Sequence, residues 1–253
     1  MPPYPRERHV AVVHDRSVFI FGGYDGVNKL NDFYEFNIDN NTWSEVIYSG
    51  NYIKSLYYLK SLYVIWWMIY IEFIFNVNFK FYLGSGQPPS PRHSSSAIVF
   101  DGSMYVFGGY SGSCRSDLHR FNFETNTWTE IKKTSNNSWP QERYRTSSAF
   151  YKDMMYIYGG HNGGKQLEDF WSFDLKKHFW SLIEVKPNLP SLRDSHITFV
   201  YKDSLYIHGG SSANNIYYKG DFFEFNFSNN INKKYNNINN TSYSKMDQPQ
   251  LLH

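Results

Sequence analysis

A short strand-like run that ends in two glycines occurs four times in this chain, and it limits the fold more than any other feature. The copies are FIFGGYDG (Phe19 to Gly26), YVFGGYSG (Tyr105 to Gly112), YIYGGHNG (Tyr156 to Gly163) and YIHGGSSA (Tyr206 to Ala213). Their glycine pairs are Gly22 and Gly23, Gly108 and Gly109, Gly159 and Gly160, and Gly209 and Gly210. Each pair brings the same neighbours. Sixteen residues before the first glycine stands an arginine: Arg6, Arg92, Arg143 and Arg193. Nine to twelve residues after it an aspartate opens a second apolar run, at Asp32, Asp117, Asp169 and Asp221. Eleven residues beyond the first three aspartates lies a tryptophan, Trp43, Trp128 and Trp180, whereas the fourth copy has Asn232 there.

A repeat of this length built from β-type segments is the pattern of a propeller or solenoid. The expected fold is all-β: a β-propeller of four-stranded blades, four repeats visible, forming an incomplete ring or open arc. In the third copy SSAFYKD, MMYIYGG, DFWSFD and FWSLIEV read as the four strands, separated by turn residues. The paired glycines end an inner strand where a side chain would block a neighbouring backbone or ring. Tryptophan opposite such a position fills the wedge between twisted sheets, so the aromatic content of 20% is read mainly as core.

With these features in register, the chain resembles the kelch-repeat family of β-propellers. The resemblance rests on an apolar strand, paired glycines, an aromatic-acid pair and a following tryptophan. Phe36-Asn37, Phe121-Asn122, Phe173-Asp174 and Phe225-Asn226 hold the aromatic-acid place, with Phe for the usual Tyr and often Asn for Asp. Repeat length and style are most similar to the kelch domains of the leucine-zipper-like regulator and Rab-effector group.

The period also works as a ruler. First glycines are 51 residues apart from Gly108 to Gly159 and 50 from Gly159 to Gly209, but 86 apart from Gly22 to Gly108. The excess of about 35 residues lies between Gly50 and Gly86. Blades are therefore expected over 1–50, 86–136, 137–186 and, degraded, 187–230, with an apolar insertion at 51–85 and an Asn-rich low-complexity tail at 231–253. The insertion includes SLYVIWWMIYIEFIF (Ser61 to Phe75), whose uncharged run ends at Glu72 and is too short for a membrane-spanning helix. An extra hairpin would expose an apolar edge. Residues that A/T-rich codons encode dominate the segment, and its composition favours a translated, unspliced intron.

The chemistry-bearing residues point to binding. A net charge of +2, with Lys and Arg spread along the chain, argues against nucleic acid. The single cysteine, Cys114, and the absence of a secretion-like N-terminus give the expectation of a reduced, cytoplasmic setting away from membranes. No nucleophile motif, phosphate loop or metal-spaced Cys/His cluster appears, so neither an enzyme nor a metal or other cofactor is expected. A copper site with a Cys-Tyr pair, as in galactose-oxidase-type kelch propellers, has no visible ligand set. His9 and His196 share a repeat position with Ser95 and Thr146, which suits a polar structural role.

By resemblance to kelch domains that grip peptides, the candidate partner contacts lie in two sets of loops. Arg8, Ser94, Arg145 and Ser195 precede the first strands, and Tyr24, Asp25, Tyr110, Ser111, His161 and Asn162 follow the glycines. Arginines there suit acidic peptide segments of other proteins, and tyrosines suit rigid anchors. Arg6, Arg92, Arg143 and Arg193 recur too regularly to be partner-specific and are expected to hydrogen-bond between blades. The expected function is a non-enzymatic interaction scaffold or adaptor. Its alternatives are the substrate receptor of a cullin-type ubiquitin ligase and the regulatory propeller of a larger enzyme such as a kelch-containing Ser/Thr phosphatase.

Overall fold

A computed structural model describes residues 1–46, 85–133, 138–184, 190–212, 217–218, 220–228 and 231–235. Apart from Ser85, the expected insertion lies outside them, as does the expected tail beyond Tyr235.

Alternating apolar and polar residues separated by tight turns produce four antiparallel sheets of four strands each. The first comprises β1 (Val10–His14), β2 (Ser17–Tyr24), β3 (Lys29–Asn37) and β4 (Thr42–Glu45). The second holds β5 (Ser96–Phe100), β6 (Ser103–Phe107), β7 (Leu118–Asn122) and β8 (Thr127–Ile131). The third holds β9 (Ser147–Tyr151), β10 (Met154–Tyr158), β11 (Phe170–Asp174) and β12 (Phe179–Leu182). The fourth uses β13 (Ile197–Tyr201), β14 (Ser204–His208), β17 (Phe222–Asn226) and β18 (Ile231–Tyr235). A two-stranded ribbon, β15 (Ser211–Ser212) with β16 (Tyr217–Tyr218), fills the loop of this last blade. Strand β18 takes five residues from the segment expected as a tail and pairs Asn232 with Phe225, the place where Trp128 pairs with Phe121.

The sheets stand as blades in a ring, a four-bladed β-propeller, with β1, β5, β9 and β13 packed in succession as innermost strands. Among the described residues β13 and β1 do not pack on each other in this way. Because side chains alternate across a strand, each blade has two faces, and one apolar cluster forms per junction. Phe19, Phe21 and Phe33 of blade one meet Met104, Val106, Phe121 and Trp128 of blade two. Phe107 and Leu118 then meet Met155, Ile157, Phe173 and Trp180, and Tyr158 and Phe170 meet Leu205, Ile207, Phe223 and Phe225.

The glycine pairs stand where backbones converge. A Cβ on Gly108 would lie 2.6 Å from the Arg143 carbonyl oxygen of the next blade, and one on Gly109 would lie 3.0 Å from the His93 carbonyl oxygen of its own blade. With φ of 65° and 100°, both also adopt a backbone that side-chain-bearing residues avoid.

The repeated arginines differ from expectation in one respect: their side chains bond within a blade. Arg92 Nη1 donates to the Gly108 carbonyl at 2.9 Å, and its two Nη atoms reach Asp117 at 2.6 and 2.7 Å. Arg143 does the same with Gly159 and Asp169, Arg193 with Gly209 and Asp221, and Arg6 with Gly22 and Asp32. It is the backbone of three of these residues that crosses between blades. Gly23 N–H donates to the Arg92 carbonyl at 2.9 Å and Arg92 N–H to the Leu30 carbonyl at 2.8 Å. A guanidinium in a narrow wedge needs a carboxylate at bidentate range, and the repeat supplies one two strands away in the same sheet.

Candidate functional site

The candidate contacts gather at one end of the propeller, and backbone geometry fixes where they stand. Arg8, Ser94, Arg145 and Ser195 all adopt the left-handed conformation, with φ between 55° and 58°. Ser94 N–H donates to the Arg8 carbonyl at 2.8 Å, Arg145 N–H to Ser94 at 2.9 Å and Ser195 N–H to Arg145 at 2.9 Å. One residue from each blade is thereby tied into a single curved line. The residues just before them pair with those just after the glycines: Glu7 with Tyr24, His93 with Tyr110, Tyr144 with His161 and Asp194 with Ser211. Two sets of loops far apart in sequence therefore form one surface.

Along that surface runs a row of rings. Centroids of Tyr24 and His93 are 6.0 Å apart, those of His93 and Tyr110 5.5 Å, those of Tyr110 and Tyr144 5.5 Å, and those of Tyr144 and His161 5.4 Å. Cations flank it. Lys29 Nζ sits 5.6 Å from the Tyr110 centroid and the Arg145 guanidinium 5.2 Å from that of Tyr144, while Arg8 is exposed at its edge. Burial lowers the pKa of His93, and the charges of Arg8, Lys29 and Arg145 lower it further. Burial also lowers that of His161, where Asp194 opposes the shift and Arg145 adds to it. Both imidazoles are therefore neutral at pH 7, and the positive charge of this face resides on Arg8, Lys29 and Arg145.

The predicted residues divide by what their side chains already do. Asp25 accepts from the N–H groups of Val27 at 2.8 Å and Asn28 at 2.6 Å, bonds that hold its carboxyl below the usual range. Asn162 accepts from Gly164 at 3.0 Å and Lys165 at 2.9 Å, and the Ser111 hydroxyl accepts from Arg115. These three shape their own loops. Ser195 lies 3.4 Å from the Asp194 carboxylate, and Ser94 touches His93 Nδ1 at 3.0 Å. Tyr24, Tyr110 and His161 present rings, the Arg8 guanidinium lies 3.3 Å from the Glu7 carboxylate, and that of Arg145 donates to Asp194 at 3.2 Å.

Sequence reasoning passed over His93, Tyr144, Lys29 and Asp194. The first two and Asp194 share one repeat position with Glu7, directly before Arg8, Ser94, Arg145 and Ser195, and variation at an otherwise regular position was the available signal. Asp194 is fully buried; it takes Arg145 at 3.2 Å and the Ser211 hydroxyl at 2.7 Å, and so anchors the third and fourth loops together. Among the described residues no group of His, Cys, Asp and Glu has a metal-binding arrangement, and no helix is long and apolar enough to cross a membrane.

Comparison with known proteins agrees with this architecture. A family profile described as the KLHDC2/KLHL20/DRC7 Kelch-repeats domain matches residues 78–249, and the Kelch motif profile matches residues 5–46. A Drosophila melanogaster protein named leucine-zipper-like transcriptional regulator 1 homolog is 26% identical over 231 residues, which cover 88% of this chain and 20% of that protein. Kelch domain-containing protein 3 of Bos taurus is 28% identical over 88% of this chain and 52% of its own length. Kelch domain-containing protein 10 of Homo sapiens is 31% identical over 56% of this chain and 33% of its own length. The chain thus spans between a fifth and about half the length of these relatives. With the repeat, the blades and both profiles in agreement, this chain belongs to the kelch-repeat family.

Proposed function

We propose that this propeller is a protein-interaction module and that its loop face holds an acidic segment of a partner protein. The reading rests on one observation: a row of five rings, from Tyr24 to His161, flanked by Arg8, Lys29 and Arg145. Rings packed edge to face and tilted against one another offer large contact area at little entropic cost, and adjacent cations favour carboxylates and suppress basic partners. The function of the whole protein, including an adaptor role, is part of the same proposal.

The test is capture of partners from native lysate, followed by affinity measurement with the recovered acidic segment. Arg8→Ala combined with Arg145→Ala should weaken binding by at least about 30-fold, in line with the roughly 2 kcal/mol that truncation of an interface hot spot costs. The double variant should still melt as one cooperative unit, at a lower temperature because the buried Asp194 loses its cation, whereas Arg8→Ala alone should weaken binding without that shift; binding by the wild type should fall as salt rises. An unchanged capture profile, or affinity indifferent to both salt and the double substitution, overturns the proposal.

A further inference from the structure

Of the three cations that flank the row of rings, two already face a carboxylate of this chain. The Arg145 guanidinium donates to the fully buried Asp194 at 3.2 Å, and Arg8 Nε lies 3.3 Å from the Glu7 carboxylate. Lys29 differs, because among the described residues no carboxylate stands at ion-pair distance from its Nζ. Charge also converges on one place. His93, between Tyr24 and Tyr110, feels Arg8, Lys29 and Arg145 together, opposed by Glu7, whereas at His161 the Asp194 charge offsets that of Arg145.

The repeat shows how particular this lysine is. In the first three blades the residue after the glycine pair bridges to one that closes the same loop: Tyr24 to Lys29, Tyr110 to Cys114 and His161 to Gln166. The next residue's carbonyl then accepts the backbone N–H of the following blade's arginine: Leu30 from Arg92, Arg115 from Arg143 and Leu167 from Arg193. Lys29, Cys114 and Gln166 therefore hold one structural position, and of these three blades only the first places a charge there. Arg115, one residue on from Cys114, gives its Nε to the Ser111 hydroxyl of its own loop. In blade one the pairing of β2 with β3 runs past a bulge to Tyr24 and Lys29, and the turn between them is held by Asp25, which accepts from Val27 and Asn28, and by the Tyr24 hydroxyl, which donates to the Gly26 carbonyl at 2.7 Å. That stem carries the ammonium across the blade boundary to 5.6 Å from the Tyr110 centroid.

We propose that Lys29 is the residue by which this face tells an acidic segment from a neutral one, and that the partner's carboxylate seats at the boundary of blades one and two, beside His93 and Tyr110. The inference rests on the reading of the loop face as a site for acidic segments. An arginine already paired with an internal carboxylate gains less from a second one, whereas the Lys29 ammonium gains its first. The blade-three end, where the charges of Arg145 and Asp194 cancel, takes the uncharged part of the segment against Tyr144 and His161.

Fluorescence anisotropy of the full chain with two labelled octapeptides tests this, one alternating Glu with Ala and the other carrying Gln in place of each Glu. Wild type should bind the Glu peptide at least about fivefold more tightly than the Gln peptide, the size of one exposed ion pair. Lys29→Met should remove most of that ratio and leave affinity for the Gln peptide unchanged. Lys165→Met takes the same charge from an exposed lysine in the blade-three loop of the same face and should leave the ratio in place. Carbodiimide coupling of the Glu peptide to the wild-type chain, read by mass spectrometry, should join its carboxylate to Lys29 in preference to Lys165, a readout that depends on no variant folding. A ratio that Lys29→Met leaves intact, equal losses in both lysine variants, or coupling to Lys165 instead overturns the assignment of Lys29 while the acid-binding reading stands. A wild type that binds both peptides equally, or neither, overturns that reading and the assignment with it.

Discussion

Arg143 has a fully buried side chain inside blade three, where its guanidinium bonds Asp169 at 2.7 Å and the Gly159 carbonyl at 2.9 Å. Removing the arginine leaves the Asp169 carboxylate without its cation and held by the Trp171 indole at 2.7 Å, at a cost of about 3 kcal/mol. Arg143→Met should accordingly lower the midpoint of urea unfolding, and adding Asp169→Asn should recover part of the loss, because the stranded charge goes with it. His196 shows the opposite kind of burial. It lies against Tyr158, and burial, reinforced by the Arg193 charge, holds its pKa down at about 3 against the opposing pull of Asp194 and the Tyr158 backbone. In the unfolded chain it titrates near 6.5, so between 6.5 and 3 the unfolded state binds the additional proton and stability falls as pH falls. Burial alone would raise the carboxyls of Asp117 and Asp169, but the bonds and charges of Arg92 with His119, and of Arg143, hold both below the usual range. Their contribution is lost further down, as pH drops below the ordinary carboxylate value of 3.8. Melting temperature measured from pH 7 to pH 4.5 should therefore decline, and His196→Thr, which installs the residue found at Thr146, should flatten the decline. A slope equal in both proteins would contradict this account.

Among the elements, the strands and their order were legible because period-two alternation and glycine punctuation recur four times in register. Two features were less so. The outer strand β18 lies in an Asn-rich run whose composition reads as low complexity, yet pairing with β17 supplies the backbone partners that its side chains do not advertise. The arginine side chains were expected to join blades, whereas register across β6 and β7 brings Asp117 to Arg92 within one sheet. The segment 51–85 interrupts an otherwise even repeat, and we propose that the mature protein lacks it. Sequencing the transcript across Gly50 to Gly86 should show the junction closed, and a chain lacking Asn51 to Ser85 should melt within a few degrees of the full chain; peptides from this segment in the native protein would refute the idea.

On the scale of the molecule, the repeat turns local bonds into a shared surface, because converging loops make a face of rings and cations at one end. The candidate site was partly visible: Arg8, Arg145, Tyr24, Tyr110 and His161 follow from repeat position, while His93, Tyr144 and Lys29 join them by a neighbour relation between loops that no local pattern encodes. By itself the sequence determined the kind of sheet, the strand order and the glycine positions, since these depend on alternation, turn chemistry and spacing within a single blade. Tertiary structure alone decided which side chains share the loop face and that the arginine backbones rather than their guanidiniums tie blade to blade. Those outcomes depend on how whole sheets pack across a wedge, where residues some fifty positions apart meet through backbone geometry that side-chain pattern does not record.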